Sequence, residues 1–221
     1  MSSPFEMSVE EQIRRRGERL LGLFFRAWAH ELNNPVQAVL AGAELIELEL
    51  GVPNASLAEI RERVRVQSRE VATEVVRVSD GIARLHALCR APAGIEGQVE
   101  LGDLLAEANA LWTPVSRHAG IATRFPEMPA GESPRWVALS SAAAVLILVD
   151  AMTAIWQGVV GCDELRLGLD DDFARSSVEL DFTGGPLGQD ELAERRPLWE
   201  ALGVECELRP QQLVLRLPTS A

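Results

Sequence analysis

The stretch whose residue types and order could do chemistry is Ala29-His30-Glu31-Leu32-Asn33-Asn34-Pro35-Val36-Gln37. An exposed imidazole beside a carboxylate is a nucleophile near neutral pH. Part of it is unprotonated there, and the carboxylate can hold one ring N–H while the other nitrogen presents its lone pair. Glu31 is the adjacent carboxylate, and Asn34, one helical turn on, could orient a water or a phosphoryl oxygen. His30 stands two residues from both Trp28 and Leu32, about 200° around a helix from each, so the spacing turns it away from the apolar side. Arg26, Asn33 or Asn34, Gln37 and Glu44 share that outward face. Pro35 lacks an N–H and its ring presses on the carbonyl of Glu31, which predicts a bend beside His30. On residue types alone, a solvated surface histidine beside a kink accounts for the same residues equally well.

Two long helices must position this stretch. Apolar residues recur at Leu21, Phe25, Trp28, Leu32, Val39, Ala43, Ile46 and Leu50, and again at Leu57, Ile60, Val64, Val71, Val75, Val78, Ile82 and Leu85. The gaps of three, four or seven are those of a helix stripe. Gly51-Val52-Pro53-Asn54 supplies a turn between them, and Ser56 with Glu59 forms a capping box for the second helix. Two helices joined by a short turn lie antiparallel, and a lone hairpin leaves one side of each wet. A symmetric dimer forming a four-helix bundle is the simplest remedy; cover from the second half of the chain is the alternative.

Arg90-Ala91-Pro92-Ala93-Gly94 reads as a linker, dividing the chain into residues 1–93 and 94–221. Beyond it the pattern predicts helices over Leu101–His118 and Ser140–Gln157, and one more ending near Trp199. Strands are expected at Ile121–Phe125, Glu164–Leu169, Ser177–Phe182, Val204–Leu208 and Gln212–Leu217. The expected class is α+β: a helical hairpin followed by a reduced two-layer α/β sandwich.

The 221 residues carry 21 basic and 33 acidic side chains, net −12, and every basic one is Arg. Residues 1–93 hold 12 Arg against 13 acids, and residues 94–221 hold 9 against 20. This balance argues against nucleic acid or an anionic membrane as partner. Three scattered cysteines, Cys89, Cys162 and Cys206, exclude a disulfide scaffold or a cysteine-rich zinc site and suit a reducing cytoplasm. No apolar stretch precedes Arg14, so no secretory signal is expected, and Val137–Trp156, interrupted by Asp150, reads as a buried helix.

His30-Glu31-Leu32-Asn33-Asn34-Pro35-Val36-Gln37-Ala38-Val39 resembles the H-box of two-component sensor histidine kinases, His-Glu-x-x-Asn/Thr-Pro-Leu. The layout over about residues 10 to 218 is similar to their catalytic core, a helical dimerization and phosphoacceptor hairpin followed by an ATP-binding α/β sandwich. The resemblance implies that His30 is phosphorylated, that Glu31 assists transfer, and that Asn34 holds the position linked to aspartyl-phosphate hydrolysis.

The second half departs from that family. Its N-box helix carries two Asn, one of which holds magnesium; Leu146 and Asp150 stand there instead. Its Asp-x-Gly-x-Gly motif, in which the Asp reads adenine, is matched only by Asp181-Phe182-Thr183-Gly184-Gly185, and the lid and second glycine-rich box are absent. No glycine-rich loop remains to cradle phosphates, and Phe182 and Trp199 are candidates to fill any cleft. Gly184-Gly185 otherwise reads as a tight turn, Asp170-Asp171-Asp172 as a solvated turn, and Arg14-Arg15-Arg16 as a solvated helix face. His118 reads as a C-terminal cap or surface residue and His86 as a cation at a helix C-terminus.

The leading expectation is therefore a phosphorelay histidine phosphotransferase, similar to the dimeric ones built on a degenerate kinase core. It would carry phosphate on His30 between receiver-domain aspartates without ATP. No cofactor or metal site is expected in this chain; the partner receiver would supply Mg²⁺ and a Lys. Two alternatives remain: a sensor-less histidine kinase with a divergent ATP site, and a non-catalytic pseudokinase scaffold that binds a response regulator.

Overall fold

The computed structural model describes residues 7–51, 56–89, 96–126, 134–169 and 176–219. The chain forms two compact units, Phe24–His86, and Met1–Leu23 together with Ala87–Ala221. The first turns of the N-terminal helix thus group with the second unit, whereas composition alone suggests a single division near residue 93. The linker-like residues 90–94, most of the 51–54 turn and Asp170-Asp171-Asp172 lie outside the described residues.

The helical unit is built from α1 (Val9–Leu50) and α2 (Leu57–Cys89). The capping box is formed: the Ser56 and Glu59 backbone N–H groups donate to each other's side chains, at 3.1 Å to Glu59 Oε2 and 3.3 Å to Ser56 Oγ. The pair runs antiparallel, with Glu49 ion-paired to Arg63 at 3.1 Å, Gly42 against Val71, and Gly81 against Leu32 and Trp28. Glycine lets the helices close here, since a Cβ on Gly42 would come 2.5 Å from Val71 Cγ2. The α2 stripe is half-buried at Ile60, Val64, Val71, Val78 and Leu85. On α1 the buried side is Phe24, Ala27 and Trp28, continued by Leu32, Val39 and Ile46. Phe25, expected on that stripe, is 66% exposed, and Leu50, Leu57, Val75 and Ile82 also face out. At 100° per residue one position decides the side, and Phe24 takes the inward one. α1 runs through Pro35 as one helix.

In the second unit, α3 (Leu101–Ala119) and α4 (Ser141–Gly158) form one layer. α3 buries Leu101, Leu104, Leu105, Ala108, Leu111, Trp112 and Val115 at helix spacing. Residues 143–155 of α4 are all buried, as befits a core helix. Although α4 is long and apolar enough to cross a membrane, burial inside this unit accounts for that composition. Trp112 meets Trp156 edge to face at 6.2 Å and donates its indole N–H to Thr123 Oγ1 at 3.1 Å. Gly120, at φ 72°, caps α3: its N–H and that of Ile121 reach back to the last turn. The cap is therefore Gly120, and His118 is a surface residue.

The other layer is a five-stranded mixed sheet of β2 (Ala122–Arg124), β4 (Glu164–Leu169), β5 (Ser176–Phe182), β6 (Glu205–Arg209) and β7 (Gln212–Leu217), in the order β2-β4-β5-β7-β6. Only β2–β4 is parallel among its pairs. A two-residue ribbon, β1 (Val99–Glu100) with β3 (Trp136–Val137), is additional to the expected strands. The expected helix near Trp199 is two short ones, α5 (Gln189–Ala193) and α6 (Arg196–Ala201).

Alternation gives the sheet two unlike faces. Leu165 pairs with Phe182, Leu167 with Leu180, Leu180 with Leu213 and Val178 with Leu215, all buried. The opposite face is a mesh of ion pairs. Arg166 holds Glu164 at 2.9 Å, Arg209 holds Glu207 at 2.8 Å, Arg216 holds Glu207 at 2.6 Å, and Gln212 donates to Asp181 at 2.9 Å.

Candidate functional site

His30 is exposed on α1, with Asn34 exposed one turn beyond it and Glu31 half-buried at the next position. Arg26 and Gln37, at spacings of four and seven from His30, are exposed on the same side. The sequence motif is thus a continuous helical surface: an imidazole open to a partner, an amide along the axis and a carboxylate at its flank. Such a surface can present a nitrogen lone pair to an electrophile carried by another molecule.

The second group of expected residues does not converge. Asp150, on α4, is only 1% exposed. Its Oδ1 accepts from Arg16, with Nε at 2.6 Å and Nη2 at 2.5 Å, and Arg195 Nε lies 3.4 Å away. The Arg195 guanidinium also donates to the Glu191 carbonyl and to Gln157. Burial pushes the Asp150 carboxyl above the ordinary carboxylate range, against the pull of Arg16, Arg195 and Trp199. Burial likewise lowers Arg195, opposed by Asp150. Trp199 is fully enclosed and Phe182 is 4% exposed.

Asp181 lies on the charged face of the sheet, paired in register with Arg166 and Gln212, while its neighbour Phe182 occupies the apolar face. Gly184, at φ 101°, is braced against the end of α4, where a Cβ would come 2.8 Å from the Val160 carbonyl oxygen. The Gly185 N–H donates to that oxygen at 2.9 Å. The pair makes a bend just after β5, held to Val160. Magnesium and a nucleotide do not fit these residues. Leu146 is buried and offers no donor, Asp150 already holds two guanidiniums, Asp181 faces the other way, and the glycine turn is backed by chain.

Arg16, Arg195 and their hold on Asp150 escaped the sequence reading. Arg14 and Arg15 do lie on a solvated face, paired with Glu11 and Glu18. Arg16 does not: its side chain is 12% exposed. The signal was present, because Arg16 stands three residues from Ile13 and four from Leu20, on the buried side of α1. Beside this cluster a cleft of about 560 Å³ opens, lined by Arg16, Arg19, Leu23, Gln157, Glu191 and Arg195 among others.

Comparison with known proteins gives no match to any family model and none to a curated protein. Among solved structures, the ATP-binding domain of PrrB from Mycobacterium tuberculosis is similar over 57% of this chain and 98% of its own, at 17% identity and TM-score 0.46. Histidine kinase ThkA, solved in complex with the response regulator protein TrrA, is similar over 96% of this chain and 65% of its own, at 16% identity and TM-score 0.44. Acinetobacter baumannii histidine kinase AdeS is similar over 87% and 98%, at 8% identity and TM-score 0.43.

Proposed function

We propose that this chain is a histidine-centred phosphotransfer protein of the two-component type, in which His30 takes a phosphoryl group from an aspartyl phosphate of one receiver domain and passes it to another. One observation carries this reading: His30 stands exposed on α1, with Asn34 exposed a turn beyond it and Glu31 beside it. An imidazole nitrogen attacks phosphorus in line as the bond to the aspartyl oxygen breaks. The carboxylate leaves with the electron pair, and the ring proton passes to solvent or to Glu31. Mg²⁺ and a Lys of the receiver neutralise the charge spread over the phosphoryl oxygens, which this lysine-free chain would not have to supply.

A receiver as phosphoryl source, in preference to ATP, is supported by the pairing of Asp150 with Arg16 and Arg195 and by the outward Asp181. The solved structures named above are kinases or their ATP-binding domains, so a kinase with a divergent nucleotide site is the second reading. The protein as a dimer belongs to the same proposal, the apolar outer side chains of the hairpin meeting a second copy.

The test offers the full chain two donors, labelled ATP and a labelled receiver phosphate. Label from the receiver, absent in His30→Ala and slowed about a hundredfold or more in Glu31→Gln, is the expected result. Label from ATP establishes the kinase instead. Label from neither leaves a scaffold and ends the proposal.

A further inference from the structure

The residues at Asp150 disagree with a nucleotide and magnesium site, and at Asp150 itself the nearest group in the way is the Arg16 side chain. Arg16 reaches Asp150 across 134 residues of sequence and places both Nε and Nη2 on Oδ1. It comes from a face of α1 whose other members, Ile13, Gly17 and Leu20, are also buried. α4 could not keep this carboxylate charged by itself, because a buried charge needs a close, well-aligned partner. Arg195 comes no nearer than 3.4 Å through Nε, and the rest of its fork serves the Glu191 carbonyl and Gln157. The second oxygen, Oδ2, has no hydrogen-bond partner among the described residues. The close cation is therefore supplied by α1.

We propose that residues 9–23 are an intramolecular strap anchored by Arg16, which closes the face of α4 at Asp150 against any outside cation or ligand. The contact is autoinhibitory in form, since a guanidinium of the chain occupies the carboxylate that a soluble cation would need. It is also conditional, because a buried guanidinium without its carboxylate is expelled, and the segment that carries it loses its seat. The outer side of the strap is tied mainly to itself, through Glu11, Arg14, Arg15 and Glu18, and reaches the rest of the unit through an exposed Arg19–Glu194 pair at 3.6 Å, a weak tie at that exposure. This inference goes beyond the phosphotransfer reading and stands on the second unit alone, so either can fail without the other.

Amide hydrogen exchange on the full chain, resolved by peptide, tests it. In the wild type the amides of 12–22 exchange about as slowly as those of 143–155. Arg16→Met keeps the apolar stem and leaves Asp150 with Arg195. It speeds exchange in 12–22 by at least about tenfold while 143–155 stays within about threefold. Arg16→Lys keeps the charge but loses the two-nitrogen contact, so it speeds exchange in 12–22 less than Arg16→Met does. The strap is overturned by an Arg16→Met chain in which 12–22 is as protected as before, and equally by a wild type in which 12–22 already exchanges freely. Loss of protection in 143–155 together with 12–22 also overturns it, since Arg16 would then hold the sandwich itself together.

Discussion

At the scale of single residues, charge partners decide which ionisable groups can sense pH. Glu11 accepts hydrogen bonds from Arg14 and Arg15, and these hold its carboxyl at about 2. A carboxyl depressed below its unfolded value adds stability above that value and loses it as pH falls through the folded one. The contribution of Glu11 therefore fades between about pH 4.3 and 2. Carbon-detected NMR titration should find its midpoint near 2 in low salt and nearer the ordinary value in molar salt, because the pair is exposed and screened. The exposure of His30 was legible in the sequence because its spacing turns it off the apolar stripe. Arg16 was not, because its partner lies 134 positions away and only its place on the buried side of a helix hints at one.

Elements are held apart or together by what a few positions lack. Gly42 lets α1 and α2 touch. Gly42→Ala drives a Cβ to 2.5 Å from a Val71 methyl, and β-branched Val71 has little freedom to turn away. Thermal melts should show a loss of about 1–3 kcal/mol. Gly22→Ala is the control on the same helix: nothing lies within 4 Å, so it gains about 0.5–1 kcal/mol of helix propensity. Glu164–Leu169 and Gln212–Leu217 were legible to the residue, the first because alternation marks its start and the second because Leu213, Val214 and Leu215 cluster between polar residues. The two-residue β1 and β3 were not, since alternation needs several residues to register. The break between α5 and α6 falls at Glu194-Arg195, and no Gly or Pro precedes it to mark the end of α5.

For the whole molecule, the open question is how many chains share the hairpin. Leu40, Leu45 and Leu48 on α1 and Val66, Val75, Val76 and Ile82 on α2 are between 41% and 67% exposed, more large apolar surface than a hairpin keeps wet. Light scattering with size-exclusion chromatography should report twice the 24.1 kDa chain mass at micromolar concentration. Val75→Glu with Ile82→Glu should return it to one chain mass, with circular dichroism unchanged. A single chain mass for the wild type would refute the dimer.

The charged face of the sheet has a consequence for long-range forces. Arg124, Arg166, Arg209 and Arg216 pair with Glu164, Glu179, Glu205 and Glu207 along and across neighbouring strands, and Asp181 takes Gln212. Opposite signs a few ångströms apart offset one another through these mostly diagonal pairs, so much of the field of that face dies away within a layer or two of water. An approaching protein feels the molecule's excess negative charge from other directions, and encounters on this side should run at nearly the same rate whether the solution is dilute or salty.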